Sequence, residues 1–367
     1  MISFSKFLTE SIELKKLKHL EHPEDHVIHA GNIGAEHAIN TLQHVHNKLT
    51  GKKSGADIHM KYDGSPSVVF GHHPETNRFF VATKSAFNKD PKLNYTTSDI
   101  KKNHGEQPGL VKKMGQALRH LKKIAPKEGV YQGDLMHSKD EIKSDKHSYH
   151  FTPNTLTYSV KKTSDEGKKI GKSKLGIAVH TKYHGKTLED MQAKFDVNHS
   201  EFNHHPDVHI ISTKHDVSKV THTPDQHSHF NTHIEKAKKI LATHKDDHLE
   251  GHVDQMKMYI NHTVKTETTP SVDGYKEHLK SRFKTDKKVK HVDSRASDFE
   301  KTLKLHHHIQ QAKNSLVNAL SSHSEYAHSS NGKPTKPEGF VAHVDNKPTK
   351  LVDRNEFSRI NLTRERK

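Results

Sequence analysis

The sequence predicts an α+β fold: strands through residues 31–185, helices through 186–330, and a return to strands in 331–367. Three observations carry this. Short runs of alternating apolar residues recur early in the chain, apolar residues at helical spacing take over after residue 186, and alternation resumes near the carboxy terminus. Residues 1–30 form a separate amino-terminal segment whose Phe4, Phe7, Leu8, Ile12 and Leu14 read as short and amphipathic.

In chain order, Ala35, Ala38, Ile39, Leu42, Val45 and Leu49 predict a helix over 34–49. Strands follow at Ile58 to Lys61, Pro66 to Phe70 and Phe79 to Thr83, with His72 to Asn77 as a hairpin turn. Residues 109–125 place Leu110, Val111, Met114, Ala117, Leu118, Leu121 and Ile124 on one helical face, and Pro126 ends that helix ahead of the strand carrying Asp134. Helical spacing returns at Ile234, Ala237, Ile240 and Leu241, at Val253, Met256, Tyr259 and Ile260, and at Phe299, Leu303, His306, Ile309, Leu316 and Leu320. Closing strands are expected at Gly339 to His343 and Thr349 to Val352, and polar linkers at 201–229 and Ser329 to Pro334.

Within this frame Lys61-Tyr62-Asp63-Gly64 stands out, a lysine at a strand end with Asp and Gly just beyond it. Downstream come Thr83-Lys84-Ser85, Tyr131-Gln132-Gly133-Asp134-Leu135-Met136, Glu338-Gly339-Phe340-Val341, and Lys350 within Pro348 to Arg354. In that order the five segments resemble motifs I, Ia, III, IV and V of the covalent nucleotidyltransferase superfamily, the ATP-dependent DNA and RNA ligases and mRNA capping enzymes. The resemblance covers residues 56–183 and 336–361.

It implies a nucleotidyltransferase fold, like a ligase adenylation domain, with a helical insertion between the third and fourth motifs that contacts the acceptor or braces the fold. It also implies ATP-dependent formation of a lysyl-AMP at Lys61. Asp63, Gly64, Lys84, Asp134, Tyr158, Lys182 and Lys350 would bind the nucleotide, and Glu338 and Asp134 would hold Mg²⁺ or Mn²⁺. The base-stacking aromatic is left open between Tyr158 and the strand Gly176 to Tyr183, which contains Lys182. ATP is the expected nucleotide, GTP the alternative, and a polynucleotide end the expected acceptor, RNA slightly ahead of DNA. The segment after motif V leaves no room for a carboxy-terminal oligonucleotide-binding barrel. Motif V departs from the family pattern, since Val352 stands where a second lysine is usual.

The chemistry asks for these residue types on its own account. An amine attacks phosphorus only when neutral, so the lysine pKa must fall from about 10.4, and a neighbouring cation such as Lys350 would lower it. Carboxylates at Asp134 and Glu338 suit Mg²⁺, which prefers hard oxygen ligands.

A net charge of +16 and a pI near 9.5 point to an anionic partner. With no apolar run approaching about 18 residues, nucleic acid is favoured over a membrane. The alternative to an enzyme is a nucleic-acid-binding or packaged virion protein without turnover; a further alternative is nucleotidylation of a host protein. The absence of cysteine removes thiolate metal sites and fits a reducing compartment such as a host cytoplasm. Hydrophobic content of 30% predicts a thin core.

Histidine is abundant, 38 residues, and His204-His205 and His306-His307-His308 raise the question of zinc. Adjacent histidines on a helix diverge, so the expectation is solvated surface histidines. In His22-Pro23-Glu24-Asp25-His26, Asp25 is expected to cap a turn. Finally, residues 1–10, ending Leu8-Thr9-Glu10, resemble the capsid-targeting peptides of large contractile-tailed phages, which a prohead protease cuts after the glutamate. That resemblance implies packaging in the capsid and injection into the host.

Overall fold

The computed structural model describes residues 20–195, 197–345 and 347–358. The targeting-like residues 1–10 lie outside the described residues. Elements run α1 (His26–Leu49), β1 (Ala56–Lys61), β2 (Ser67–His72), β3 (Phe79–Ala82), α2 (Thr97–His104), α3 (Pro108–Leu121), β4 (Val130–Ser138), β5 (Lys143–Ser144), β6 (Ser148–Phe151), β7 (Thr157–Lys161), α4 (Asp165–Lys172), β8 (Leu175–His184), β9 (Gln192–Lys194) and β10 (Val208–Ile210). Then come α5 (Pro224–Leu241), α6 (Val253–Thr266), α7 (Val272–Phe283), α8 (Asp286–Ser294), α9 (Ala296–Leu320), β11 (Ala327–Ser330), β12 (Lys333–Thr335), β13 (Gly339–Val344) and β14 (Lys347–Leu351). The chain is α+β, and its sheets are open, with no closed barrel among the described residues.

Two units result. The first comprises Met60–His215 and Ser324–Pro337. Its larger sheet has the order β10-β8-β4-β2-β3, with β9 on β8, and its smaller sheet the order β12-β11-β7-β6-β5. Strand alternation gives the larger sheet two apolar faces. Val68, Phe70, Tyr131, Leu135, Ile177 and Val179 pack under Met114, Ala117 and Leu121 of α3. Val69, Phe80, Val130 and Tyr183 meet Phe87, Leu188 and Met191 on the other face.

Both expected linkers carry structure. Residues 201–229 contain β10, which pairs in parallel with β8, and the start of α5, whose Thr223 cap accepts from the Gln226 amide. Residues 329–334 form the turn of the β11–β12 hairpin, with Asn331 and Gly332 both at positive φ, the backbone that an Asn-Gly hairpin turn requires. Turn composition looks alike in a linker and in a tight hairpin, and only pairing tells them apart.

The second unit joins Leu20–His59, Asp216–His323 and the segment from Glu338 onward. Helices α6 to α9 close on a core of Met256, Tyr259, Ile260, Tyr275, Leu279, Val292 and Phe299, with Ile28 of α1. Helices α7 and α8 lie between the apolar runs recognised in the sequence, their own apolar stripes being short.

Asp25 does not cap. Its side chain makes no capping bond; it pairs with Arg354 at 2.5 Å and lies 3.3 Å from His306 Nε2. Beside it Lys313 Nζ donates to Glu24 Oε1 at 2.6 Å, both side chains fully buried. Removing one partner strands a charge in the interior, so Lys313→Ala is expected to cost about 3–5 kcal/mol, far more than a Glu24→Leu/Lys313→Met double change. Urea unfolding of the two variants checks this; equal losses would mean that the charge pairing is not what the site depends on.

The histidines also depart from expectation. His22, His46, His137, His244, His248, His252, His306 and His328 are buried. Two share one hydroxyl: His244 Nε2 and His248 Nε2 lie 2.8 and 2.9 Å from Thr302 Oγ1. His252 Nδ1 meets the Tyr275 hydroxyl at 2.9 Å. Imidazoles thus fill a core that is short of apolar residues, some with a hydrogen-bond partner, as at Thr302 and Tyr275, and some, such as His137, with neither ring nitrogen hydrogen-bonded among the described residues.

Candidate functional site

Residues 62–66 link β1 to β2, and Asp63 and Gly64 have distinct tasks in that link. Asp63 is buried, and its carboxylate accepts from Asn154 Nδ2 at 2.8 Å, Thr155 N at 2.7 Å and Leu156 N at 2.9 Å. Its own amide donates to the Tyr158 hydroxyl at 2.7 Å. Gly64 runs against β4, where a Cβ would stand 2.6 Å from Asp134 Cβ and 2.9 Å from Met136 Sδ. Only glycine permits that approach. The Lys-x-Asp-Gly spacing is thereby explained: Asp63 fastens the segment to the β6–β7 connection, and Gly64 lays it along the strand that carries Asp134.

Asp134 is the electrostatic centre. Burial pushes its carboxyl up, but the His180 imidazole, the Ser67 hydroxyl and the Lys61 ammonium together hold it below the usual carboxylate range. His180 Nε2 lies 3.6 Å from Asp134 Oδ2. Ser67 is the cross-strand partner of Asp134, and its Oγ also accepts from Gln132 Nε2 at 2.8 Å. The result is an ionised carboxylate with a lysine, an imidazole and a hydroxyl around it. Asp134, with the Ser67 oxygen beside it, offers hard oxygen atoms of the kind a divalent cation takes.

Three other expected site residues in this unit fare differently. Lys84 is exposed and opens the short 3-10 helix Lys84–Phe87 just after β3, at the sheet end where β2 starts with Ser67, the cross-strand partner of Asp134. Tyr158 is not an open stacking platform. Its ring is buried, stacked on Phe151 at 5.5 Å with Tyr326 edge-on, and its hydroxyl holds the Asp63 amide. Lys182 is on the wrong face. A bulge pairs Gln132 with Thr181 but Gly133 with Val179, so β8 carries an extra residue at His180. His180 consequently faces Asp134, while Lys182 sits opposite Tyr131 on the α3 side and donates to Glu201 at 2.6 Å.

His180 is the site residue that sequence reasoning missed. Strict alternation would have placed it with Lys182, and periodicity carries no sign of the bulge.

Glu338 and Lys350 belong to the second unit. Glu338 is buried just before β13, and Lys350 lies opposite Val341 on β14, its amide donating to the Glu21 carbonyl at 3.1 Å. Burial, then the charges of Lys313, Arg354 and Lys350, hold His22 well below its ordinary pKa. Lys350 thus joins a basic cluster balanced by Glu24 and Asp25.

Residues 17–366 match the profile of DUF6267, a family of unknown function. The chain belongs to this family. No curated protein and no solved structure matches it. No helix among the described residues of this DUF6267 member is long and apolar enough to cross a membrane.

Asp63→Ala removes the acceptor shared by the buried Leu156 amide, the half-buried Thr155 amide and the exposed Asn154 side chain. A loss of about 3 kcal/mol is expected, since hydrogen bonds to a charged group contribute about 1.5–3 kcal/mol each and partial relaxation returns some of it. Chemical denaturation reads it; a change below about 0.5 kcal/mol would show that the 154–156 segment does not depend on this carboxylate.

Proposed function

We propose that this chain is an ATP-dependent nucleotidyltransferase of the ligase and capping-enzyme type, charging Lys61 with AMP and passing it to a polynucleotide end, RNA before DNA. The observation that supports this most is the coupling of the Lys61 ammonium to the ionised Asp134, with His180 alongside, at the sheet end where Lys84 is exposed.

The ionised Asp134 favours the Lys61 ammonium, so the ε-amine first gives a proton to solvent and then, neutral, attacks the α-phosphorus of ATP. A P–N bond forms, the bond from that phosphorus to the bridging oxygen breaks, and pyrophosphate departs. The proton shed by the amine passes to the Asp134 carboxylate, with the His180 imidazole 3.6 Å from that carboxylate to take it on. A divalent ion held by Asp134, when bound, would offset the charge of the leaving pyrophosphate. Lys84 would bind phosphate oxygens as a mobile point charge. Glu338→Ala and Lys350→Ala test separately the metal and phosphate roles that the resemblance implies for them.

Incubation with α-labelled nucleotides and Mg²⁺ or Mn²⁺ is the test. A gain of one AMP in intact mass is expected. If none of the four ribonucleotides labels the protein with either metal, the enzymatic reading is lost.

A second reading, a nucleic-acid-binding protein without turnover, is favoured by one observation: Tyr158 and Lys182, expected at the nucleotide, are committed to internal contacts. Its charge of +16 serves either reading.

A further inference from the structure

Within the second unit, the last turn of α1 and the start of α5 bring three imidazoles together. One ring nitrogen from each of His46, His222 and His227 lies within 4.8 Å of the other two. His46 Nε2 and His227 Nδ1 are 2.9 Å apart, and His222 Nε2 is buried with no hydrogen-bond partner among the described residues. We propose that these three residues form a transition-metal site, with Zn²⁺ as its ion.

The dimensions suit the ion. Tetrahedral Zn²⁺ with nitrogens at 2.0–2.1 Å separates its ligands by about 3.3 Å, inside the range these nitrogens span, so small ring rotations complete the set. Chain geometry prepares two of the rings. His46 is fixed by stacking on Phe230, ring centroids 4.3 Å apart and nearly parallel. His227 has its second nitrogen, Nε2, 2.9 Å from the Asn231 side-chain amide one turn along α5. With Nδ1 on the metal, Nε2 carries the proton, and the amide turned over accepts it, the outer bond that orients a ligating histidine.

The chain has no cysteine and so no thiolate to offer, and imidazole suits Zn²⁺. His222 and His227 are half-exposed, which leaves the fourth position to water. Elsewhere among the described residues His233 and His308 share a 2.9 Å contact, with the His229 ring 4.4 Å from that of His233, and His252 and His291 a 3.0 Å contact. Bound metal would tie the carboxy-terminal end of α1 to the amino-terminal turn of α5, independently of the chemistry proposed at Lys61.

The test uses the full chain, stripped with a chelator and titrated with Zn²⁺ against a competing chelator, with melting temperature as a second readout. Wild type is expected to take up one tight equivalent and to melt at a higher temperature with it. His222→Ala removes a ligand from a loop position and is expected to weaken that equivalent at least about tenfold and to cancel the thermal shift. His227→Ala should do the same, while a His233→Ala/His308→Ala double variant should match wild type. The metal-free melting temperature of each variant separates ligand loss from misfolding. The proposal is overturned if wild type shows no tight equivalent, if His222→Ala and His227→Ala bind as wild type does, or if the His233/His308 variant is the one that loses it.

Discussion

Lys61→Ala is expected to abolish covalent labelling by ATP and the sealing of polynucleotide ends, while affinity for nicked duplexes stays within about twofold of wild type. The two effects separate because Lys61 is one of 60 Lys and Arg residues in the electrostatic term but the whole of the nucleophile. Loss of one phosphate contact would lower the slope of log affinity against log salt by about one unit or less. Lys61→Arg should be equally inactive, since a guanidinium keeps its proton at any working pH and has no free pair to offer phosphorus. Intact mass gives the adduct, and filter binding over a salt series gives the affinity. An adduct that survives in Lys61→Ala would move the nucleophile elsewhere, and mapping of the labelled peptide would then name it.

The protein is expected to lose several kcal/mol of stability between pH 7.5 and pH 5.5, a change as large as the whole stability of many domains. The cause is its buried histidines. Burial first of all, helped in places by a neighbouring imidazole, lowers His137 to about 3 and His248, His252 and His328 to about 4. In the unfolded chain each titrates near 6.5. Below that pH the unfolded state binds protons that the folded state refuses, so stability falls as pH drops through 6.5 and keeps falling until the folded values are reached. At pH 5.5 each such group contributes about 1.4 kcal/mol against folding, and the four together about 5.6 kcal/mol. Urea midpoints across this range check the slope. A flat profile from pH 7.5 to 5.5 would show that these imidazoles take up protons inside the fold, with local opening or water to accommodate the charge.

Much of the architecture is legible in the sequence because it rests on local periodicity. The apolar stripe from Leu110 to Leu121 sets α3, the short apolar run Val68 to Phe70 sets β2, and the long stripe from Phe299 to Leu320 sets α9. These patterns have one physical origin, side chains repeating at the period of the backbone that carries them. The Lys61-Tyr62-Asp63-Gly64 segment is legible for a different reason. A lysine at a strand end followed by a fixed acid and glycine is a local arrangement, and its glycine is demanded by the 2.6 Å approach to Asp134 Cβ.

What tertiary structure alone decides is facing and partnership. A single extra residue in β8 turns His180 toward Asp134 and Lys182 away from it, and nothing in the run Gly176 to Tyr183 marks where that residue falls. Asp63 and Tyr158 are 95 positions apart, yet the amide of one and the hydroxyl of the other meet at 2.7 Å and turn two expected ligand contacts into a brace. The histidines show the same limit. Composition gives their number, but whether an imidazole is solvated, fills the core beside Thr302 or converges with two others at His46 depends on which helices pack, and that is settled by contacts between residues remote in the chain.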